Sequence, residues 1–293
     1  MTQVHAANSP VPAAAIVDDQ KRQGGWQDVP TGLRIGSFLF LVVVALAVFA
    51  PLIAPYDPIR TSVMERLQGP SVAHWLGTDA LGRDVLSRVL VGTRMSLLGV
   101  CVALVVAFVV AVPWGLLAGY FGKLTDEVLM RTADAFIAFP ALVLALAITA
   151  VLGPSLLTAM AAVGFVFAPT AARLLRTAVL PLPDSDFVLV SRSVGTSATR
   201  AALRHILPNS MSPMLVEIAA LGSLALVIEA SLSFLGLGIQ PPAPSLGGDL
   251  ALAYNHFSSQ PLLTIAPGLV VSLVAFLIAQ VSATMRILLR IEQ

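Results

Sequence analysis

The chain is poor in three things: it has one cysteine, two lysines, and only 11% charged residues across its 293 positions. The lone Cys101 excludes an intrachain disulfide and any cysteine-built metal site. Within an apolar run it reads as a buried structural thiol. Soluble domains carry about 25% charged residues, so an ordinary soluble fold is excluded as well. A net charge of +1 leaves no cationic excess for nucleic-acid binding by phosphate neutralisation. The shortage of lysine excludes more. A phosphate-binding loop of the form G-x-x-x-x-G-K-[ST] needs a lysine to reach the phosphates. The only lysines are Lys21 and Lys123, and Lys123 is followed by Leu124 and has Leu117 where the first glycine should stand. Neither G-x-S-x-G, H-E-x-x-H nor paired cysteines appear. The chain is expected to be non-catalytic, without a cofactor or metal of its own.

What remains is apolar. Hydrophobic residues make up 57% of the chain and the mean hydropathy is +0.89. A spanning helix needs about 20 mostly apolar residues. Six stretches meet this: 33–54, 95–118, 133–152, 156–179, 213–237 and 262–288. The fold class is therefore all-α integral membrane, with six transmembrane helices. Pro113, Pro140 and Pro169 fall in or near these runs, where neighbouring helices can satisfy the carbonyls they free.

Lysine and arginine placement orients the spans. Lys21, Arg22 and Arg34 precede the first; Lys123 and Arg131 lie between the second and third. Arg173, Arg176, Arg192, Arg200 and Arg204 surround the fourth-to-fifth connection, and Arg286 and Arg290 close the sixth. With six alternating spans all of these face the cytoplasm, and so do both termini. Residues 1–32 read as a disordered cytoplasmic tail and 33–54 as the first span. A signal peptide cleaved near Ala45 and Ala47 is the alternative, disfavoured by the long polar leader and the full span length.

Three segments lie outside the spans. Residues 55–94 form an extracytoplasmic loop containing HWLGTDALGRD. Within it Val85, Leu86, Val89 and Leu90 alternate with Arg83, Asp84, Ser87 and Arg88 as an amphipathic helix lying at the interface. His74 and Asp79 lack a second histidine nearby, so a structural role outweighs metal ligation. Residues 185–209 are a polar, arginine-bearing hairpin with an apolar stripe of Phe187, Val190 and Val194. Gly195 breaks it, and a second short helix runs from about Thr199 to a stop at Pro208–Asn209. Such a stripe on a membrane protein is suited to touching another protein. Residues 238–250, GIQPPAPSLGGDL, form a compact outer loop with Asp249, Tyr254 and His256 as its polar handles.

Charges inside spans are costly and mark function or helix pairing. Asp134 sits near the start of the third span, and Glu217 and Glu229 on the fifth. The two glutamates are twelve residues apart, about 120° around the helix, and do not share a face. Glu229 can pair with a neighbouring helix or line the pathway.

The segments HWLGTDALGRDVLSRVLVGTRMSL, RHILPN and EASLSFLGLGIQPPAPSLGGDL, in that order, resemble the permease subunits of dipeptide/oligopeptide ABC importers. The resemblance is to the member of the permease pair that carries the GTDxxGRD loop, and covers about 33–289. It implies a type I ABC importer permease fold, with residues 95–289 as the permease core, in a bacterial cytoplasmic membrane. The implied partners are a homologous second permease, two cytoplasmic ATPase subunits that bind the ATP, an extracytoplasmic solute-binding protein, a peptide substrate and membrane lipid, with no nucleic acid. It makes 185–209 the ATPase-coupling segment, carried by Phe187, Val188, Leu189, Val190, Ser191, Gly195, His205, Ile206, Leu207 and Pro208. Leu189, Val190 and Ser191 stand where the family has Glu-Ala-Ala, and Ile206 is one position from the family isoleucine. Binding-protein docking is assigned to Thr78, Asp79, Gly82, Arg83, Asp84 and Asp249.

The expected mechanism is a passive gate. ATP energy reaches the chain only as differential binding to its two conformations. The rivals are the same machinery with a nickel chelate, glutathione or sugar as cargo, and an ATP-independent secondary transporter, which needs coupling carboxylates that face one another.

Overall fold

The structure, a computed structural model, describes residues 26–183, 185 and 196–289. Among these residues there is no strand, only an isolated bridge between Thr78 and Asp84. The helices are α1 (Thr31–Ile53), α2 (Val85–Phe121), α3 (Lys123–Ile137), α4 (Ala141–Leu152), α5 (Leu156–Val179), α6 (Ala198–Phe234), α7 (Leu246–Tyr254) and α8 (Leu262–Leu288). Five are long and apolar enough to span a membrane, and the bent pair α3–α4 makes a sixth if counted as one span.

Three elements differ from the sequence expectation. The interfacial helix and the second span are one 37-residue helix, α2. Nothing between Val85 and Met95 breaks it, and its polar residues are buried on partners instead of facing water. The third span is broken: α3 and α4 meet at 91° where Pro140 starts α4. With only 12 residues, α4 is about 18 Å long, too short to cross alone. The second arm of the hairpin does not stop at Pro208–Asn209. Instead it runs through a π-turn, Ala202–Ile206, directly into the fifth span. Pro208 has no N–H to give, and the wider turn before it accommodates the ring. Asn209 Nδ2 and Ser210 Oγ donate to the carbonyls of His205 (2.6 Å) and Ile206 (3.1 Å) beside the ring.

The core is an α2–α5–α6 bundle. Along α2 the buried face reads Ser96, Val100, Ala103, Ala107, Ala111 and Ala118, a stripe of mostly small residues. Association in lipid depends on close packing, because lipid tails remove the hydrophobic drive between helices. Gly164 of α5 shows how close that packing is: a Cβ built there would lie 2.3 Å from the Ala103 carbonyl oxygen. Cys101 lies off this stripe and is exposed, contrary to the buried thiol expected. Large apolar side chains such as Phe38, Leu52, Val105 and Phe276 face outward, as a bilayer or a second subunit requires.

Glu229 of α6 is 1% exposed and pins the bundle near one end. Ser96 Oγ of α2 donates to its Oε2 (2.7 Å), and Ser233 Oγ donates to its Oε1 (2.8 Å). Both carboxylate oxygens are satisfied, and the partner helix is α2.

Gly164→Ala should force α2 and α5 apart and destabilise the protein by roughly 1–3 kcal/mol, read as a lower thermal midpoint in detergent. Gly32→Ala, with no atom within 4 Å of its new Cβ, is the control and should change little. Glu229→Ala should cost roughly 1–3 kcal/mol by leaving two serine hydroxyls without their acceptor. Glu229→Gln should stay near the wild type, and a glutamine as damaging as alanine would contradict a pinning role.

Candidate functional site

Two regions bear the residues singled out by sequence. At the start of α6, Phe187, Val188, Leu189, Val190, Ser191 and Gly195 lie outside the described residues. The other four are in place. Ile206 is fully buried, in a cluster with Leu175, Val179 and Met214. It therefore anchors the arm to the bundle and is unavailable to another protein. His205 and Leu207 are half-buried, and Pro208 is exposed. Leu203, which sequence reasoning passed over, and Arg204, which it used only for orientation, are exposed beside them. Leu203 lies one turn before Leu207, a spacing that was available as a signal.

The charges beside this end are paired. Asp126 of α3 accepts two bonds from Arg176 of α5, and Asp134 of α3 accepts one from Arg173. Trp114 Nε1 of α2 donates to the Leu129 carbonyl (3.1 Å), so α3 is tied to two spans. Asp134 and Arg173 are about half exposed, and such a pair contributes roughly 0–1 kcal/mol. Glu217 is half-buried, with no side-chain bond among the described residues, and is not brought near Glu229.

The opposite region is the 77–88 segment. Gly77 and Gly82 have φ of +79° and +72°, which L side chains rarely adopt. A Cβ on Gly82 would also sit 1.8 Å from the Ser62 carbonyl oxygen. Between them Asp79 folds the loop on itself: Oδ1 accepts from the amides of Leu81 (2.8 Å) and Arg83 (3.0 Å), and Oδ2 from Arg83 Nε (2.6 Å). Thr78 Oγ1 accepts from the Gln68 amide (2.9 Å) and donates to the Glu65 carbonyl. Asp84 caps α2 by accepting from the Ser87 amide (2.8 Å) and hydroxyl (2.7 Å), and its other oxygen meets His74 Nδ1 at 2.9 Å. Arg88 reaches across to α7, with Nε and Nη2 3.0 and 2.5 Å from Asp249 Oδ1. Burial pushes the Asp249 carboxyl above its ordinary range, and the Arg88 guanidinium offsets this only in part.

This geometry turns most of the residues assigned to docking inward. Thr78, Gly82, Arg83 and Asp84 are buried, Asp79 is spent on internal partners, and Asp249 gives Oδ1 to Arg88. They form a structural knot. The surface the loop turns outward is mixed: Met64, Val72 and Trp75 are exposed beside Asp57, Arg60, Glu65 and Arg66. His74 holds Asp84, and no cluster of three metal-ligating side chains occurs among the described residues. Ser96 and Arg88 were missed as partners because Glu229 and Asp249 lie 133 and 161 residues away in sequence.

Comparison with known proteins places this architecture. A dipeptide transport system permease protein of Alkalihalophilus pseudofirmus is 38% identical over 241 residues, covering 82% of this chain and 79% of its own. A glutathione transport system permease protein of Pectobacterium atrosepticum is 38% identical over 234 residues, covering 80% and 78%. The solved methionine ABC transporter MetNI, in an inward-facing conformation, shares the fold with a TM-score of 0.54 at 18% identity, over 71% of this chain and 97% of that one. Residues 33–70 match the N-terminal transmembrane domain of oligopeptide transport permease C. Residues 111–288 match the binding-protein-dependent transport system inner membrane component, and the chain belongs to that family of multi-pass ABC importer permeases.

Proposed function

We propose that this chain is one of two permease subunits of an importer for di- and oligopeptides, worked from the cytoplasm by separate ATPase subunits. The observation that carries this reading is the continuity of α6 within a family whose members serve binding-protein-dependent transport. The arm that bears Leu203, Arg204 and Pro208 is about the first three turns of the same 37-residue helix that bears Glu229. At about 1.5 Å per residue that helix is some 55 Å long. A displacement imposed on the arm therefore moves the span as one body, without a flexible joint to absorb it.

The orientation follows from the arginines: the arm faces the ATPases, both termini are cytoplasmic, and the 77–88 knot and α7 face outward. ATP binding to the partner subunits would favour one position of the arm over the other, and a loaded binding protein would favour the outward-open state from the opposite side. The chain itself supplies no nucleotide site in this scheme, and the sister permease supplies the other half of the pathway. Peptide cargo is supported by the Alkalihalophilus relative, a dipeptide transport permease, and glutathione, itself a tripeptide, by the Pectobacterium relative.

Purification in mild detergent should yield a complex with a sister permease and two ATPases. After reconstitution with its binding protein, the complex should take up labelled dipeptide only with ATP. A lone chain that conducts solute without nucleotide would defeat the proposal, and uptake of glutathione but no dipeptide would reassign the cargo. Inserting Gly-Gly after Ser212 should soften the helix between arm and span. ATP hydrolysis by the complex is then expected to persist while uptake falls at least about tenfold, since each inserted glycine weakens a helix by about 1 kcal/mol. Unchanged uptake in this variant would exclude rigid transmission through α6.

A further inference from the structure

The outer region holds a cavity of about 290 Å³ between the 77–88 knot, α7 and the start of α8. Asp79, Arg83, Arg88 and Asp249, with Arg66, Asn255 and His256, form its polar side, and Leu252 and Leu263 belong to its apolar side. Two of the polar groups are unfinished. Arg88 directs Nε and Nη2 at Asp249 Oδ1 and Nη1 at the Pro58 carbonyl, which leaves Asp249 Oδ2 buried with no hydrogen-bond partner. Arg83 is 4% exposed and gives Nε to Asp79, while its terminal nitrogens donate to nothing among the described residues.

A buried carboxylate oxygen without a donor costs roughly 1–3 kcal/mol, which a ligand N–H seated in the cavity would recover. One water would satisfy Oδ2 but takes only about 30 Å³, a tenth of the space. The volume is at the small end of ligand pockets, which run from about 300 to 1,000 Å³. The chemistry of the walls narrows the choice. A lone cation would be repelled by three arginines, Arg66, Arg83 and Arg88, against two carboxylates. A lone anion would leave Oδ2 unpaired. A molecule with both charges and a short aliphatic body meets every wall.

We propose that this cavity receives a small zwitterion, a free amino acid or short peptide, with its carboxylate on Arg83 and its ammonium on Asp249 Oδ2. The inference rests on the import reading for its sidedness: it gives that chain an outer receiving site for the cargo class. The apolar wall sets no demand on side-chain chemistry beyond size, which suits a permease that accepts many sequences.

The test uses the assembled transporter in lipid nanodiscs, without binding protein or nucleotide, and radiolabelled Ala-Ala in equilibrium dialysis. Saturable binding is expected, with unlabelled Ala-Ala competing roughly 10- to 100-fold better than N-acetyl-Ala-Ala or Ala-Ala amide, each of which lacks one charge. The comparison is made on the wild type because replacing Asp249 strands Arg88. Leu252→Trp fills the cavity from its rim and leaves the four charged groups in place, so it should abolish binding while the complex remains assembled. Absence of saturable binding to the wild type, equal competition by the blocked peptides, or undiminished binding to an assembled Leu252→Trp complex would each overturn the site. ATP-driven uptake measured on the same preparation separates the two readings: intact uptake without direct binding removes the cavity's role and leaves import standing.

Discussion

Lipid gives two helices no hydrophobic reason to associate, so α2 and α5 hold together by contact and by the polar groups they enclose. Gly164 against the Ala103 carbonyl brings the backbones close enough that no side chain fits between them. The rest follows from that approach. It buries the Ala103, Ala107 and Ala111 stripe and leaves the large side chains for the outer surface. It also leaves the Ser96 face of α2 free for α6, where Glu229 completes the contact. A carboxylate in such a place is tolerable only with both oxygens bonded, and both are.

The spans were legible because hydropathy is a local property: twenty apolar residues announce a helix whatever they pack against. The buried polar residues were not, because their reasons lie far along the chain. Arg83, Asp84, Ser87 and Arg88 read as the wet face of an interfacial helix, since nothing near them in sequence shows that Arg88 ends on Asp249. Once those partners are in place there is no wet face, and the interfacial helix and the second span merge into α2. The docking residues were read in the same way, since an outer loop rich in charge looks like a surface until its hydrogen bonds are traced. Pro140 and Pro208 give the converse lesson. One ends up at a right-angled break and the other inside a continuous helix, although both were read as features of a helix end or kink. The difference lies in the preceding turn, which widens to a π-turn before Pro208 and ends the helix before Pro140.

The two ends of the bundle are held by different kinds of interaction. At the knot end the bonds are buried: Arg88 with Asp249, Asp84 with His74 and Ser87, Glu229 with Ser96 and Ser233. Breaking a buried charge pair by removing one partner costs several kcal/mol, so these contacts fix one geometry. At the arm end α3 is tied to α5 through Asp126–Arg176 and Asp134–Arg173, the second about half exposed. Water can replace such a pair at little cost.

That asymmetry bears on how a passive gate could move. A long helix fixed at one end and loosely tethered at the other pivots about the fixed end, and small forces at the free end act with the longest lever. In α6 the fixed point is Glu229 and the free end is the arm before Leu207. Ile206, buried among Leu175, Val179 and Met214, prevents the arm from sliding independently of α5. In the proposed motion the arm and α5 move together, and the half-exposed Asp134–Arg173 pair to α3 is the contact that exchanges most readily as they do. Weaker bonds at the arm and strong ones at the pivot are what the proposed lever requires, and the reverse arrangement would resist displacement of the arm.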